Sequence, residues 1–493
     1  MTATAASAAS PAEPTAAPST AAPSASAPAE SSSATAPAGL SEAAVALLER
    51  EALDIARQLV RIDSSNTGEP GIGDGETRAA LLIRELLTEV GIASEFAESR
   101  PGRGNLVARI PGADPEAPAL LVHGHLDVVP ADADDWTHPP FAAEIADGLL
   151  YGRGVVDMKG FVGTVVAVVR AFAREGVQPR RELVLAFFAD EEAGGVWGAR
   201  WVVAEHPEWL AGATEALGEV GGFSLPLAPP SDQDGSAGTP GAHRAYLVST
   251  AEKGVSSIVL TARGPAGHGS RPSADNAVTR LARAVARIAD HRFPVVRTPS
   301  VEALLATVGA ALGEDLTALD DDALEARLAG LGLLGTVVAP SLRHTASPTI
   351  LQAGYKSNVI PGEASARIDC RILPGHEEAF FAELDRLAGP GIEIDKASWI
   401  PPIDSPADSP LLTVLQESIR AEDPDGTVVP YLMPASTDNK HVAALGIRGY
   451  GFTPLRVPAD VDVLGLFHAA DERVPVESIA FGARVLADVL SRA

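Results

Sequence analysis

The chain has 493 residues, with 65 Asp and Glu against 38 Lys and Arg, a net charge of −27 and a single cysteine, Cys370. That length is ample for a large core and more than one domain, while the strong acidity argues against nucleic acid or an anionic membrane as partner. Hydrophobic residues make up 46% of the composition, yet no run of about 18 uninterrupted apolar residues would span a bilayer, and one cysteine excludes an intramolecular disulfide framework.

Residues 1–39 are almost entirely Ala, Pro, Ser and Thr without an aromatic, and are expected to be a disordered tail because they cannot bury enough apolar area to offset ordering. The tail lacks the basic start and apolar run of a secretory signal. Together with the lone cysteine, this points to a soluble protein of the cytoplasm.

From Leu40 the pattern becomes helical, with Ser41 as N-cap and apolar Val45, Leu48, Ile55 and Leu59. A second amphipathic helix is predicted over 76–90, stopping at Gly91. Strands follow at 105–110, 119–122 and 183–188, with an apolar helix after Gly160. Such alternation indicates an α/β fold with a mostly parallel central sheet and helices on both faces.

After a Gly/Pro-rich passage at 221–241, a new unit begins near Tyr246, with a strand at 256–262, a helix at 275–289 and strands near 363–373. Residues 246–400 are therefore read as a second domain inserted into a first one made of 40–245 and 401–493. Within it, 303–334 reads as extra helix with no assignable chemistry, and Cys370 as a small apolar residue in a strand. A helix at 410–421, a strand at 446–453 and a helix at 478–492 return the chain to the first domain.

Four short segments carry the chemistry. His123-Gly124-His125-Leu126-Asp127 and Asp190-Glu191-Glu192 each directly follow an apolar strand, where open α/β sheets place their sites. Alternation along the strand points His123, His125 and Asp127 one way, so that Asp127 would receive the spare N–H of His125 and fix its tautomer, leaving His125 the better metal ligand. Asp157, in the Gly-rich turn 152–160, offers two oxygens that could bridge two cations, and could also cap the helix that follows. Of the adjacent Glu191 and Glu192, one can ligate a cation while the other takes a proton from water whose pKa that cation has lowered. Phe467-His468 adds another imidazole. A mixed imidazole and carboxylate set suits zinc, cobalt or manganese, whereas carboxylates alone would suit magnesium or calcium. The chain has no Gly-x-Ser-x-Gly, His-Glu-x-x-His or Gly-x-x-x-x-Gly-Lys motif.

The segments HGHLDVVP at 123–130, GRGVVDMKG at 152–160, DEEAGG at 190–195, GHGSRP at 267–272, NVIPG at 358–362 and HAADERVP at 468–475 resemble, in order, the motifs of the M20 family of metallopeptidases and deacylases. The resemblance implies a zinc-peptidase-like catalytic domain with an inserted α+β lid and dimerisation domain. It also implies two divalent metal ions, zinc first with cobalt or manganese as alternatives. One would be bound by His125, Asp157 and Glu219 and the other by Asp157, Glu192 and His468, with Asp157 bridging. It assigns Glu191 as general acid/base, Asp127 as the orienter of His125, His268 to the oxyanion across a dimer, and Asn358 and Arg371 to the substrate's carbonyl and carboxylate.

Glu219 stands in Leu217-Gly218-Glu219-Val220, outside the family's usual acidic context, and Glu215 is the substitute if the alignment slips. Ser436-Thr437-Asp438 resembles the family's Gly-Thr-Asp without its preceding glycines. The implied reaction is hydrolysis of the amide bond of a small N-acyl amino acid or short peptide, in a homodimer, with loop 136–141 and the second domain shaping the pocket. The rival reading is a non-catalytic homologue that kept the fold, which loss of a ligand or of the base would favour.

Overall fold

The computed structural model describes residues 39–69, 73, 75–227, 243–271, 273–459 and 461–493. The tail expected at 1–39, but for Gly39, and most of the Gly/Pro-rich passage lie outside the described residues. The first helix is Glu42–Val60, capped by Ser41, whose Oγ accepts the Ala44 N–H at 3.2 Å. That bond satisfies one of the donors a helix start leaves unpaired. Its buried face, Leu48, Ala52, Ile55 and Leu59, packs on helix Lys159–Glu175. Gly163 makes that crossing close, since a Cβ there would lie 2.6 Å from the Ala56 nitrogen.

In chain order the strands begin with the hairpin β1 (Ser94–Arg100) and β2 (Arg103–Ile110), then β3 (Ala119–His125), the short β4 (Ile145–Ala146) and β5 (Leu149–Tyr151), and β6 (Leu183–Phe188). There follow β7 (Ala213–Gly218), β8 (Ser224–Pro226), β9 (Arg244–Glu252), β10 (Gly254–Arg263), β11 (Gly267–His268), β12 (Thr345–Ala353) and β13 (Val359–Ile360). The last are β14 (Glu363–Ile372), β15 (Ile392–Ile400), β16 (Ile403–Asp404), β17 (Gly426–Met433), β18 (Arg448–Gly451) and β19 (Arg473–Pro475).

The large sheet runs β1-β2-β6-β3-β7-β18-β9-β16, with β17 and β8 also on β9. Its centre, β6-β3-β7-β18, is parallel, and antiparallel strands flank it. Every residue of β3 and β6 is buried, as a parallel strand covered on both faces requires. Alternate side chains divide between two cores. Leu120, Val122, Leu183 and Leu185 face the core shared with helices Glu42–Val60 and Val476–Arg492, and Leu121, Val184, Ala186 and Phe188 face the core that includes Val202 and Trp209.

A second, antiparallel sheet runs β12-β14-β10-β15. Its inner face, with Ile258, Leu260, Ile368 and Ile372, packs on helices Ala277–Asp290 and Glu377–Ala388. Cys370 is fully buried there, and burial pushes its thiol up to about 12.

The segment read as one inserted domain divides between these sheets. Residues 246–252 lie in β9 of the large sheet. The stretch read as extra helix is three helices, Pro299–Leu312, Asp321–Ala329 and Leu333–Val338, whose buried Leu304, Leu305, Leu324, Leu328 and Leu334 join the large-sheet core rather than the small one. The edge strand β1 (SEFAESR) is absent from the sequence reading because a polar, half-exposed edge carries no apolar run. Among the described residues no helix is long and apolar enough to cross a membrane.

Candidate metal centre

The parallel neighbours β6, β3 and β7 deliver their next residues to one edge of the sheet. His125 ends β3, Glu191 and Glu192 form the short turn Glu191–Ala193 after β6, and Glu219 follows β7. Asp157 comes from the loop that enters helix Lys159–Glu175, with a cis peptide bond to Met158, and His468 follows the turn Leu464–Leu466. Asp190, Val220 and His468 have φ of 66°, 59° and 62°. For a β-branched residue such as Val220 that is a strained conformation, and all three adjoin or belong to the cluster.

His125 Nε2 lies 2.9 Å from Asp157 Oδ1 and 3.4 Å from Glu219 Oε2. His468 Nε2 lies 3.3 Å from Asp157 Oδ2 and 3.1 Å from Glu192 Oε2. The two oxygens of Asp157 thus face different imidazoles, and donor atoms of Glu191 and Glu219 gather on His125. His125, Asp157 and Glu219 are buried, whereas the His468 ring is exposed.

Behind these side chains the hydrogen bonds differ from the sequence reading in one respect. The neighbour nearest His125 Nδ1 is the Asp127 main-chain carbonyl, at 2.9 Å, with the Asp127 carboxylate at 3.5 Å. The carboxylate instead accepts from Asn66 Nδ2 at 2.8 Å and from the N–H groups of Glu191 at 3.1 Å and Glu192 at 3.0 Å. The reason is local, because the turn after β6 leaves those N–H groups without backbone partners and a carboxylate has lone pairs for several donors.

Asn66 also donates to Asp190 at 3.1 Å and accepts from Arg103 at 2.8 Å, and Arg103 pairs with Glu76, which accepts the Asp190 N–H at 2.8 Å. On the other side Glu472 accepts the N–H groups of Gly154 (2.8 Å), Val156 (2.7 Å) and Asp157 (3.1 Å) and pairs with Arg153 at 2.7 Å. Sequence reasoning missed Asn66, Glu76, Arg103 and Glu472. Only Glu472 carried a signal, its place inside HAADERVP. His123 is not with the cluster's donors. Its Nε2 lies 2.9 Å from Asn439 Oδ1, its ring fills the space over Gly218, and burial holds it near 4 and therefore neutral.

Four acids meet two imidazoles here, and the protonation energetics show the imbalance. Burial, with Glu219 next, pushes the Glu191 carboxyl far above its ordinary range, and burial raises Glu192 and carries Glu219 up to about 7. For Asp157 burial is outweighed by the hydrogen bonds from His125 and His468, which hold it well below the usual range. Burial would lower His125, but Glu219, Asp127 and Asp157 keep it well above, and Asp157 and Glu192 lift His468 to about 10. Asp438, close behind, is buried with both oxygens unpaired. Excess buried negative charge of this kind calls for cations, and the imidazole and carboxylate mixture fits zinc, cobalt or manganese.

The cluster opens on a cavity of about 680 Å³ that Arg371 enters from β14, where it pairs with Asp369 at 2.8 Å, and that Ser436 also lines. His268 and Asn358 do not line it. Both are exposed on the small β11/β13 ribbon, where the Gly269 N–H donates to the Asn358 carbonyl at 2.8 Å. Glu215 is also elsewhere, held within β7 by Arg181 at 2.7 Å and Ser409 at 2.6 Å. Loop 136–141 contributes no lining residue, and Trp136 stacks on Arg153 instead.

Residues 121–492 match the model of the peptidase family M20/M25/M40. Among curated relatives, the probable carboxypeptidase S-like 2 of Dictyostelium discoideum is 32% identical over 391 residues, 76% of this chain and 71% of that one. The N-fatty-acyl-amino acid synthase/hydrolase PM20D1 of Xenopus tropicalis is 28% identical over 420 residues, 80% and 77% of the two chains. Among solved structures, the M20 family metallo-carboxypeptidase Sso-CP2 from Sulfolobus solfataricus shares the fold with a TM-score of 0.64 at 18% identity, over 90% of this chain and 98% of that one.

Proposed function

The chain belongs to the peptidase family M20/M25/M40, a family of metal-dependent hydrolases, and we propose that it cleaves the amide C–N bond of a small N-acyl amino acid or short peptide with a free carboxylate. The observation that carries this reading is the pair of donor sets sharing Asp157, with Glu191 beside them and outside both imidazole–carboxylate contacts of His468.

In this reading His125, Asp157 and Glu219 hold one divalent ion and Asp157, Glu192 and His468 the other, zinc being the natural choice. Bound there, the ions supply positive charge that lowers the pKa of the attacking water and polarises the scissile carbonyl. Glu191, fixed through its N–H on Asp127, takes the proton of that water and returns it to the leaving amine. Arg371 receives the substrate's carboxylate, for which a planar guanidinium is suited.

The sheet β12-β14-β10-β15 with its two helices acts as the lid and dimerisation unit. His268 and Asn358, outside the cavity of their own chain, serve that of a second copy, where a donor aimed at the developing oxyanion lowers the barrier. The single buried cysteine suits a reducing, cytoplasmic setting.

The test is amine release from a panel of N-acyl amino acids and dipeptides by metal-stripped protein with and without added zinc or cobalt. Restored cleavage that Glu191→Gln lowers by about 10²–10⁴-fold, with two ions still bound, supports the reading. A Glu191→Gln protein with more than a tenth of wild-type activity overturns the role of that residue.

A further inference from the structure

Of the helices between 299 and 342, which the reaction leaves without a task, the last forms one side of the cavity. Leu333, Thr336 and Val337 of helix Leu333–Val338, with Pro340 after it, line the same space as Glu191 and Arg371. Met433 and Phe467 line it as well, so an apolar surface adjoins the acid cluster.

This wall is fixed to the large sheet. Leu324, Leu328, Leu334 and Val338 are buried in that sheet's core, Ser341 donates to the Leu432 carbonyl on β17, and the Val296 N–H closes the segment on the Leu342 carbonyl at 2.8 Å. It therefore keeps its place relative to the metal-binding side chains, whereas Arg371 belongs to the small sheet.

We propose that helix Leu333–Val338, with Pro340 after it, is the selectivity wall of the site and takes an elongated apolar acyl chain, while Arg371 takes the carboxylate of the same N-acyl amino acid. This rests on the amide-hydrolase reading. The cavity, about 680 Å³, is of the size that encloses drug-sized ligands, and an acetyl group would leave the wall uncovered.

The test compares N-octanoyl-leucine with N-acetyl-leucine, by calorimetric binding to the metal-free protein and by kcat/KM of the cobalt-loaded protein. Each methylene moved from water onto the wall favours binding roughly fourfold, so burying half of the six extra ones gives about sixtyfold tighter binding. Thr336→Glu and Leu333→Glu, which place a carboxylate in the wall, lower the octanoyl-to-acetyl ratio at least tenfold in both measurements. Thr336 is exposed and Leu333 half-buried, so neither change opens the core.

Equal binding of the two compounds, or an unchanged ratio in a Thr336→Glu protein with wild-type circular dichroism, overturns the proposal. Tight octanoyl binding with no amide cleaved sustains the wall and overturns the hydrolase reading instead. Cleavage without chain-length preference does the reverse.

Discussion

Replacing Glu472 by Gln leaves the size of the side chain unchanged but turns one acceptor oxygen into a donor. In the structure Oε2 accepts from the Gly154 N–H at 2.8 Å and Arg153 Nη1 at 2.7 Å, and Oε1 from the N–H groups of Val156 at 2.7 Å and Asp157 at 3.1 Å. Whichever way the new amide turns, its NH2 faces two donors. Each lost bond to a charged acceptor is worth about 1.5–3 kcal/mol, and a buried pair broken on one side costs about 3–5 kcal/mol. Arg153 is 3% exposed and its Nε already has no partner. Because these terms overlap, the expected loss is about 3–5 kcal/mol. The loop also presents Asp157, and removing such a support weakens metal binding about 10–100-fold, which subtracts about 1.4–2.7 kcal/mol from the stabilisation that saturating metal confers. Urea unfolding of wild type and Glu472→Gln, each metal-free and cobalt-saturated, reads both quantities. A metal-free loss under about 1 kcal/mol together with an undiminished cobalt effect refutes the reasoning.

Three further outcomes are expected. Arg371→Ala raises KM for a carboxylate substrate about 10–100-fold, the worth of a charge-assisted bond, and affects the primary-amide analogue far less; equal losses for the two analogues would remove the carboxylate contact. The Leu373 N–H donates to His344 Nδ1 at 3.0 Å, and burial, with Lys253 and His376 facing the ring, holds His344 near 4. An unfolded histidine, near 6.5, binds its proton first, so the group's contribution is complete above about pH 6.5 and declines as pH falls toward 4, by up to about 1.4 kcal/mol per pH unit. His344→Asn lacks that component, and identical stability slopes in the two proteins between pH 6.5 and 4 would count against it. Mixing His268→Ala with Glu191→Ala protein restores activity if the histidine acts in a second copy, as sedimentation of a dimer would accompany; a fully active monomer defeats the idea.

The elements that sequence reasoning located are those whose cause is local. Ser41 caps because its neighbours along the chain need an acceptor, and 119–122 of β3 and the whole of β6 are apolar because both faces are covered. The helices at 299–342 show where the limit lies, since periodicity tells that Leu304 and Leu328 are buried but not against which sheet. Alternation along β3 points His123, His125 and Asp127 one way, yet His123 meets Asn439 outside the cluster, and the choice of Asp127's partners depends on Asn66, 61 residues away, and on the turn after β6. The function of Glu472 depends on N–H groups more than 300 residues earlier in the chain. Motifs identified His268 and Asn358 by type, but their distance from the cluster follows from the placing of the second sheet, which no short segment encodes.

The centre is built in two electrostatic tiers, and the division explains why so many acids tolerate one another. Apart from Asp438, the rear acids are answered by the protein itself. Asp127 by the N–H groups of Glu191 and Glu192, Asp190 by that of Trp197 at 3.0 Å and by Asn66, Glu76 by Arg103, and Glu472 by Arg153 and three loop N–H groups are each supplied with donors. Those same bonds fix the backbone of the loops that carry Asp157, Glu191 and Glu192, including the left-handed Asp190. Among the described residues, the front acids Asp157, Glu191, Glu192 and Glu219 are answered only by two imidazoles. Charge left uncompensated at the end of rigid loops is charge reserved for a cation, and the rear tier places it there before any cation arrives, which is the preorganisation on which electrostatic catalysis depends.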